Sequence, residues 1–284
     1  MTKTVLGLIL CLFLTSCTDK IYFSKIGEDL FYQEESGRLC RIDYKTKKKV
    51  TVLDKPWLVE NDGKFDDITH NAFKNLSFYK GDLFFKANWK VGKLNVATKK
   101  STYLPLNSKV RFFQIFGDQL YYLDDDSNSI YRRDFSDFDK ANLFYTAKKR
   151  IKKFSVGNDF FSVLYFDHSY TVYDQQKNEI ITYEEIFRAT TGFDLASGVF
   201  LMKKKDFTVS FSDYKREVLV PLKNIEEIKT LKNGNAIIVQ HAFTAWSNAR
   251  YYDIYLIENY SVESFSEKKV KFNRLLKSQS FYEL

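Results

Sequence analysis

A short motif, turn residues followed by large apolar ones, recurs six times along this chain and constrains its fold more than any other feature. The copies are Gly27-Glu28-Asp29-Leu30-Phe31-Tyr32, Gly81-Asp82-Leu83-Phe84-Phe85, Gly117-Asp118-Gln119-Leu120-Tyr121-Tyr122, Gly157-Asn158-Asp159-Phe160-Phe161, Gly198-Val199-Phe200-Leu201-Met202 and Gly234-Asn235-Ala236-Ile237-Ile238-Val239. Their leading glycines stand 54, 36, 40, 41 and 36 residues apart. Gly followed by Asp or Asn supplies positive φ and local side-chain hydrogen bonds, the chemistry of a tight turn between antiparallel strands. The apolar run after each turn therefore reads as a strand.

A second strand follows in most units, often closing on Asp: Leu39 to Asp43, Ile130 to Asp134, Thr171 to Asp174 and Phe207 to Asp213. Each unit also shows a strand before its Gly, such as Leu76 to Tyr79, and one at its end, such as Val218 to Val220. About four antiparallel strands in roughly 40 residues is the period of a propeller blade, in which radial repetition buries both faces of each sheet between its neighbours. A sandwich or open barrel would share the turns, but even spacing over the whole chain favours the ring. The expected fold is an all-β β-propeller of six blades. Five or seven also fit, because the 54-residue interval can hide degenerate strands and the tail after Glu267 has no evident place. The strand Ile21 to Ser24 is available to complete the last sheet.

The first 17 residues bear on location. Lys3 precedes an apolar run, Val5 to Leu14, too short to span a bilayer as a mature helix. It ends in Leu14-Thr15-Ser16-Cys17, which resembles the lipobox of bacterial lipoproteins. That resemblance implies removal of residues 1–16, lipidation of Cys17 with palmitate-type chains and membrane anchoring of a single mature domain, 17–284. Thr18 rather than Asp after the lipidated Cys implies, in diderm envelopes, the outer membrane. The repeat itself resembles bacterial propellers of the YWTD-like and TolB-like kind across residues 21 to 265, in rhythm and without their diagnostic motifs.

Of the three cysteines, Cys11 leaves with the signal and Cys17 carries lipid, so Cys40 cannot form an intramolecular disulfide; within Leu39-Cys40-Arg41-Ile42 it reads as a buried small hydrophobe. The formal net charge is +8, one of which leaves with Lys3. On an exported, lipid-anchored chain such a surface faces lipid head groups and anionic glycans rather than nucleic acid. An aromatic content of 17% with only 3 prolines suits a strand-rich fold packed with Tyr and Phe.

The sequence carries no His-Glu-x-x-His, Cys-x-x-Cys, phosphate loop or Gly-x-Ser-x-Gly elbow, and its three histidines (His70, His168, His241) are widely separated. Asp167-His168-Ser169 contains the residue types of a triad, but strand neighbours point to opposite faces, so it reads as a loop. Asp124-Asp125-Asp126 reads as a solvated turn rather than a Ca²⁺ site, lacking the spacing of an EF-hand loop. Runs of lysine, including Lys99-Lys100, Lys148-Lys149-Arg150 with Lys152-Lys153, and Lys268-Lys269, read as edge protection before a polyanion site.

Two departures from the repeat are the candidate binding loops. The long first interval holds Trp57, Asp62, Phe65, Asp66 and Asp67 in an acidic insertion, and the last unit lengthens a hairpin with Trp246, Asn248 and Arg250. Trp and Arg are the residue types that anchor contacts. The chain is therefore read as a non-enzymatic envelope platform, without cofactor or metal, that binds another envelope protein or an anionic glycan. The competing reading is a glycan hydrolase or lyase with Asp62, Asp66 and Asp67 meeting other carboxylates at the central channel; the third is a purely structural part of an envelope assembly.

Overall fold

The computed structural model describes residues 31–33, 39–43, 48–53, 58–61, 64–67, 74–87, 89–106, 108–126, 128–192, 194–231, 234–242 and 251–280. The signal segment, Cys17, Ile21 to Ser24 and Gly27 lie outside them. The first strands, β1 (Phe31–Gln33), β2 (Leu39–Asp43) and β3 (Lys48–Leu53), form a three-stranded sheet. After the hairpin β4 (Leu58–Asn61) and β5 (Lys64–Asp67), the blades follow one another along the chain.

Blade I is β6 (Lys74–Tyr79), β7 (Asp82–Ala87), β8 (Lys90–Asn95) and β9 (Ser101–Tyr103). Blade II is β10 (Val110–Phe116), β11 (Gln119–Asp124), β12 (Ser129–Asp134) and β13 (Asp137–Thr146). Blade III is β14 (Ile151–Val156), β15 (Phe160–Tyr165), β16 (Tyr170–Asp174) and β17 (Glu179–Tyr183). Blade IV is β18 (Ile186–Thr191), β19 (Val199–Lys203), β20 (Val209–Ser212) and β21 (Glu217–Leu219). Blade V is β22 (Ile225–Thr230), β23 (Ala236–Ala242), β24 (Tyr251–Ile257) and β25 (Phe272–Ser280). Within each blade, successive strands pair antiparallel.

The glycine turns fall where the motif places them, between the first and second strands of a blade, and Gly81 and Gly117 adopt φ +85° and +58°. Both faces of the second strand are buried, each against a different neighbour. Phe161, Val163 and Tyr165 pack with Tyr121, Leu123 and Ile130 of blade II, while Phe160 and Leu164 pack with Ile186, Val199 and Leu201 of blade IV. Phe200 and Met202 then continue to Ile238 and Ile257 of blade V. Two-sided burial is what a strand needs when sheets stack around an axis, and each fully buried Phe contributes about 1.5–3 kcal/mol.

The fold is thus the expected all-β propeller, with five blades rather than six among the described residues, four of them four-stranded sheets and blade I part of a six-stranded one. In the long first interval, ahead of β6, the described residues form the three-stranded sheet β1–β2–β3 and a hairpin: β4 pairs in parallel with β9 at Glu60 and Thr102, so the β4–β5 hairpin extends blade I outward. Leu53 of β3 packs on Leu83, Phe85 and Leu94 of blade I. The C-terminal tail supplies β25, the fourth described strand of blade V. A one-turn helix, α1 (Val262–Ser266), precedes β25; it is capped by Ser261 and Ser264 and seats Phe265 against Phe211.

Candidate functional site

The first strand of each blade faces the axis, and Ser77, Phe113, Ser155, Thr191 and Thr230 from β6, β10, β14, β18 and β22 line one central cavity of about 130 Å³. Side chains stitch these inner strands together. Gln114 Nε2 donates to Val156 O and its Oε1 accepts from Val156 N. Thr191 Oγ1 donates to Ser155 Oγ, and Thr230 Oγ1 donates to Thr191 O.

At the other end of the inner strands the repeat carries a feature absent from the motif list. β10, β14, β18 and β22 each have a register shift after their first residue, at Val110/Phe112, Ile151/Lys153, Ile186/Arg188 and Ile225/Glu227. A bulge breaks the alternation of a strand and re-aims its side chains. Here Arg111 and Phe112, Lys152 and Lys153, and Phe187 and Arg188 all line one vestibule of about 430 Å³. The equivalent residues of β22 are Glu226 and Glu227, whose side chains are outside the described set.

Cations and rings alternate around this mouth. Lys152 Nζ and Arg188 Cζ stand 4.9 and 5.2 Å from the Phe187 ring centre, and Lys153 Nζ stands 5.4 Å from that of Phe112. Arg111 and Arg150 both approach the Phe166 ring to 5.0 Å. Lys152 is half-buried; burial, then repulsion from Arg188 and Lys204, pushes its ammonium below the usual lysine range. Its Nζ donates to Phe187 O at 3.4 Å, and an anion brought beside it would favour its charged form.

Antiparallel order brings the turn between the second and third strands to this same end of each blade. Trp89 O accepts from Val110 N at 2.7 Å, and His168 O accepts from Ile186 N at 2.8 Å, fixing turns of blades I and III to the start of the next inner strand. These turns expose aromatics: Trp89 is 48%, Phe166 41% and Phe207 56% accessible. Trp89 and Phe207 adopt φ +63° and +54°, a costly conformation for bulky residues that is a reason to look for function. Phe207 packs edge-on against Phe187, joining the exposed turn to the vestibule.

Of the loop residues singled out from sequence, Phe65, Asp66 and Asp67 lie on β5 at the outer edge of blade I, five strand positions from β6. The backbone order therefore separates Asp66 and Asp67 from the channel, where a two-carboxylate mechanism needed them. Trp57, Asp62, Trp246, Asn248 and Arg250 lie outside the described residues. Asp167-His168-Ser169 is a turn: Asp167 accepts from Ser169 N and Oγ and pairs with Lys149, while His168 Nδ1 faces Ile186 O. Cys40 is fully buried on β2. Among the described residues, no group of three or more His, Cys, Asp and Glu converges to hold a metal ion, and no helix is long and apolar enough to cross a membrane. Lys152 and Lys153, expected from sequence on an outer rim, line the vestibule. Aligning the blades on the inner strand instead of the glycine would have exposed Val110-Arg111-Phe112, Ile151-Lys152-Lys153 and Ile186-Phe187-Arg188 as one recurring position.

No family model and no curated protein matches the chain in sequence. Many solved structures match it in fold. One is PorZ, an essential bacterial surface component of the type-IX secretion system of Porphyromonas gingivalis, with TM-score 0.53 and 11% identity over 90% of this chain and 32% of PorZ. This chain spans about a third of PorZ's length. Another is Hsv2 of Kluyveromyces lactis, with TM-score 0.52 and 12% identity over 90% of this chain and 98% of Hsv2. Such likeness establishes the fold alone.

Proposed function

We propose that this chain is an exported lipoprotein, anchored through Cys17, whose propeller is a non-catalytic platform for an anionic glycan of the cell envelope. The vestibule carries the reading: Arg111, Lys152, Lys153 and Arg188 line one cavity with Phe112 and Phe187. Guanidinium forks match carboxylate or phosphate oxygens, and the rings hold the cations in place around the mouth. The lipobox-like Leu14-Thr15-Ser16-Cys17 supports export and anchoring, with the outer membrane as the proposed site in a diderm cell. The exposed turn aromatics favour a second reading, an envelope-protein partner on the same face, since buried aromatics anchor protein interfaces. PorZ, similar to this chain in fold, is a surface component of a secretion system.

In-cell photo-cross-linking tests both site and class. A photoreactive residue at Phe166, beside the mouth, should capture glycan, and the same residue at Leu143 on β13 should not. Exchange of Cys17 for Ser should abolish palmitate labelling and release the protein from membranes. Equal capture at Leu143, or a single protein adduct at Phe166 without glycan, would overturn the glycan reading.

A further inference from the structure

The vestibule adjoins the channel cavity. Phe112, Lys153, Leu164, Ala189, Thr190 and Ile228 line both, so the cations of the mouth and the inner chamber share one wall. That chamber differs from the mouth. Its wall is rich in hydroxyls, and at about 130 Å³ it is well above the ~10–15 Å³ that one water requires.

Two of these hydroxyls are weakly held, within reach of one another but short of a well-formed bond. Ser162 Oγ on β15 and Tyr170 OH on β16 have no hydrogen-bond partner of normal geometry among the described residues, although the residues are only 1% and 3% exposed. Elsewhere around the channel Thr190, Thr191 and Thr230 bond to neighbouring strands. Buried polar atoms are nearly always well paired, so a couple with only a poor bond to each other, facing a cavity, marks a place for something that both donates and accepts.

We infer that the two cavities form one end-on site for a single acidic sugar residue, its carboxylate or phosphate held at Arg111, Lys152 and Arg188 and its hydroxyls reaching Ser162 and Tyr170. The inference rests on the anionic-glycan reading and deepens it from a charged surface to a pocket for a chain end. The vestibule volume lies within the roughly 300–1,000 Å³ of small-molecule sites, which suits one terminal residue rather than a continuous polymer. Phe112 and Phe187 flank the entrance and hold Lys152, Lys153 and Arg188 against their rings. Charge selects the end group, and the buried hydroxyls select a polyol behind it.

Titration calorimetry on the mature chain, residues 17–284, tests this with glucuronate, glucose 6-phosphate, glucose, acetate and inorganic phosphate. Glucuronate or glucose 6-phosphate should bind, with glucose and the bare anions at least about ten-fold weaker. Lys152→Glu should weaken binding about ten-fold or more. Tyr170→Phe and Ser162→Ala should weaken it about three- to ten-fold while changing thermal stability little, because each removes a buried group that has only a poor bond to the other. Acetate or phosphate binding as tightly as the acidic sugars would reduce the site to a simple anion pocket and overturn the inference, leaving the platform reading standing. Binding unaffected by Tyr170→Phe and Ser162→Ala, with water alone filling the chamber, would also overturn it. Failure of every anionic probe, long glycans included, would remove the platform reading as well.

Discussion

Gln114 and Val156 are joined by a reciprocal pair of hydrogen bonds: the side-chain amide of one donates to the carbonyl of the other at 3.1 Å and accepts from its N–H at 2.8 Å. The glutamine thus acts as an extra strand residue, satisfying backbone that the channel leaves without a ladder. Gln114→Ala should destabilise the fold by about 1–3 kcal/mol, since both Val156 groups lose a partner next to the cavity. Gln114→Glu keeps the acceptor and loses the donor, and should fall between. Urea unfolding of the three proteins orders them. No loss in the alanine variant would show that water replaces the amide at no cost.

Close approach of two strands rests on Gly92. A Cβ there would stand 2.2 Å from the Phe85 ring, which is fully buried on β7. Gly92→Ala should cost about 1–3 kcal/mol through displacement of that ring. Phe85→Leu in the same chain should recover part of the loss, giving a favourable coupling in a double-mutant cycle. Gly81→Ala meets no atom within 4 Å and should cost only the strain of its φ of +85°, about 1 kcal/mol. Thermal denaturation separates the two; equal losses would contradict the contact.

Asp167 carries a pH dependence. The Lys149 ammonium, then the Ser169 hydroxyl and N–H, lower its carboxyl to about 2. A carboxylate held below its unfolded value stabilises the fold above that value, about 4, and the contribution fades as pH falls towards 2. The side chain is 47% exposed and screened, so the pair should be worth less than about 1 kcal/mol. Asp167→Asn should melt slightly below the parent at pH 7, with the two curves converging between about pH 4 and 2. A constant difference across that range would assign the effect to packing.

The parts of the fold legible in the sequence are those set by local chemistry. Turns at Gly81, Gly117, Gly198 and Gly234 announce themselves because each needs positive φ, and the runs after them are apolar on both faces because both faces are buried. Blade number was not legible. The Glu60–Thr102 pairing that attaches β4 to blade I joins residues far apart in sequence, and no local pattern distinguishes such a hairpin from a degenerate blade. β25 escaped notice because Lys268, Lys269 and Lys271 mask its approach, and its pairing with β24 is fixed across the intervening helix. The mouth was hidden for a related reason. A basic residue on a strand reads as solvent-facing under strict alternation, and only the bulges after Val110, Ile151 and Ile186 aim Arg111, Lys152 and Arg188 into one cavity.

The central claim is that the channel mouth, not the lysine-rich outer rim, receives the anion. Hydrogen–deuterium exchange of the mature protein, with and without an acidic oligosaccharide such as a galacturonate trimer, tests it most directly. The account predicts added protection at the starts of the inner strands, around Arg111, Lys152 and Arg188, and at the Phe166 turn. Protection confined to Lys99-Lys100 and Lys268-Lys269, with the inner strands unchanged, would contradict it.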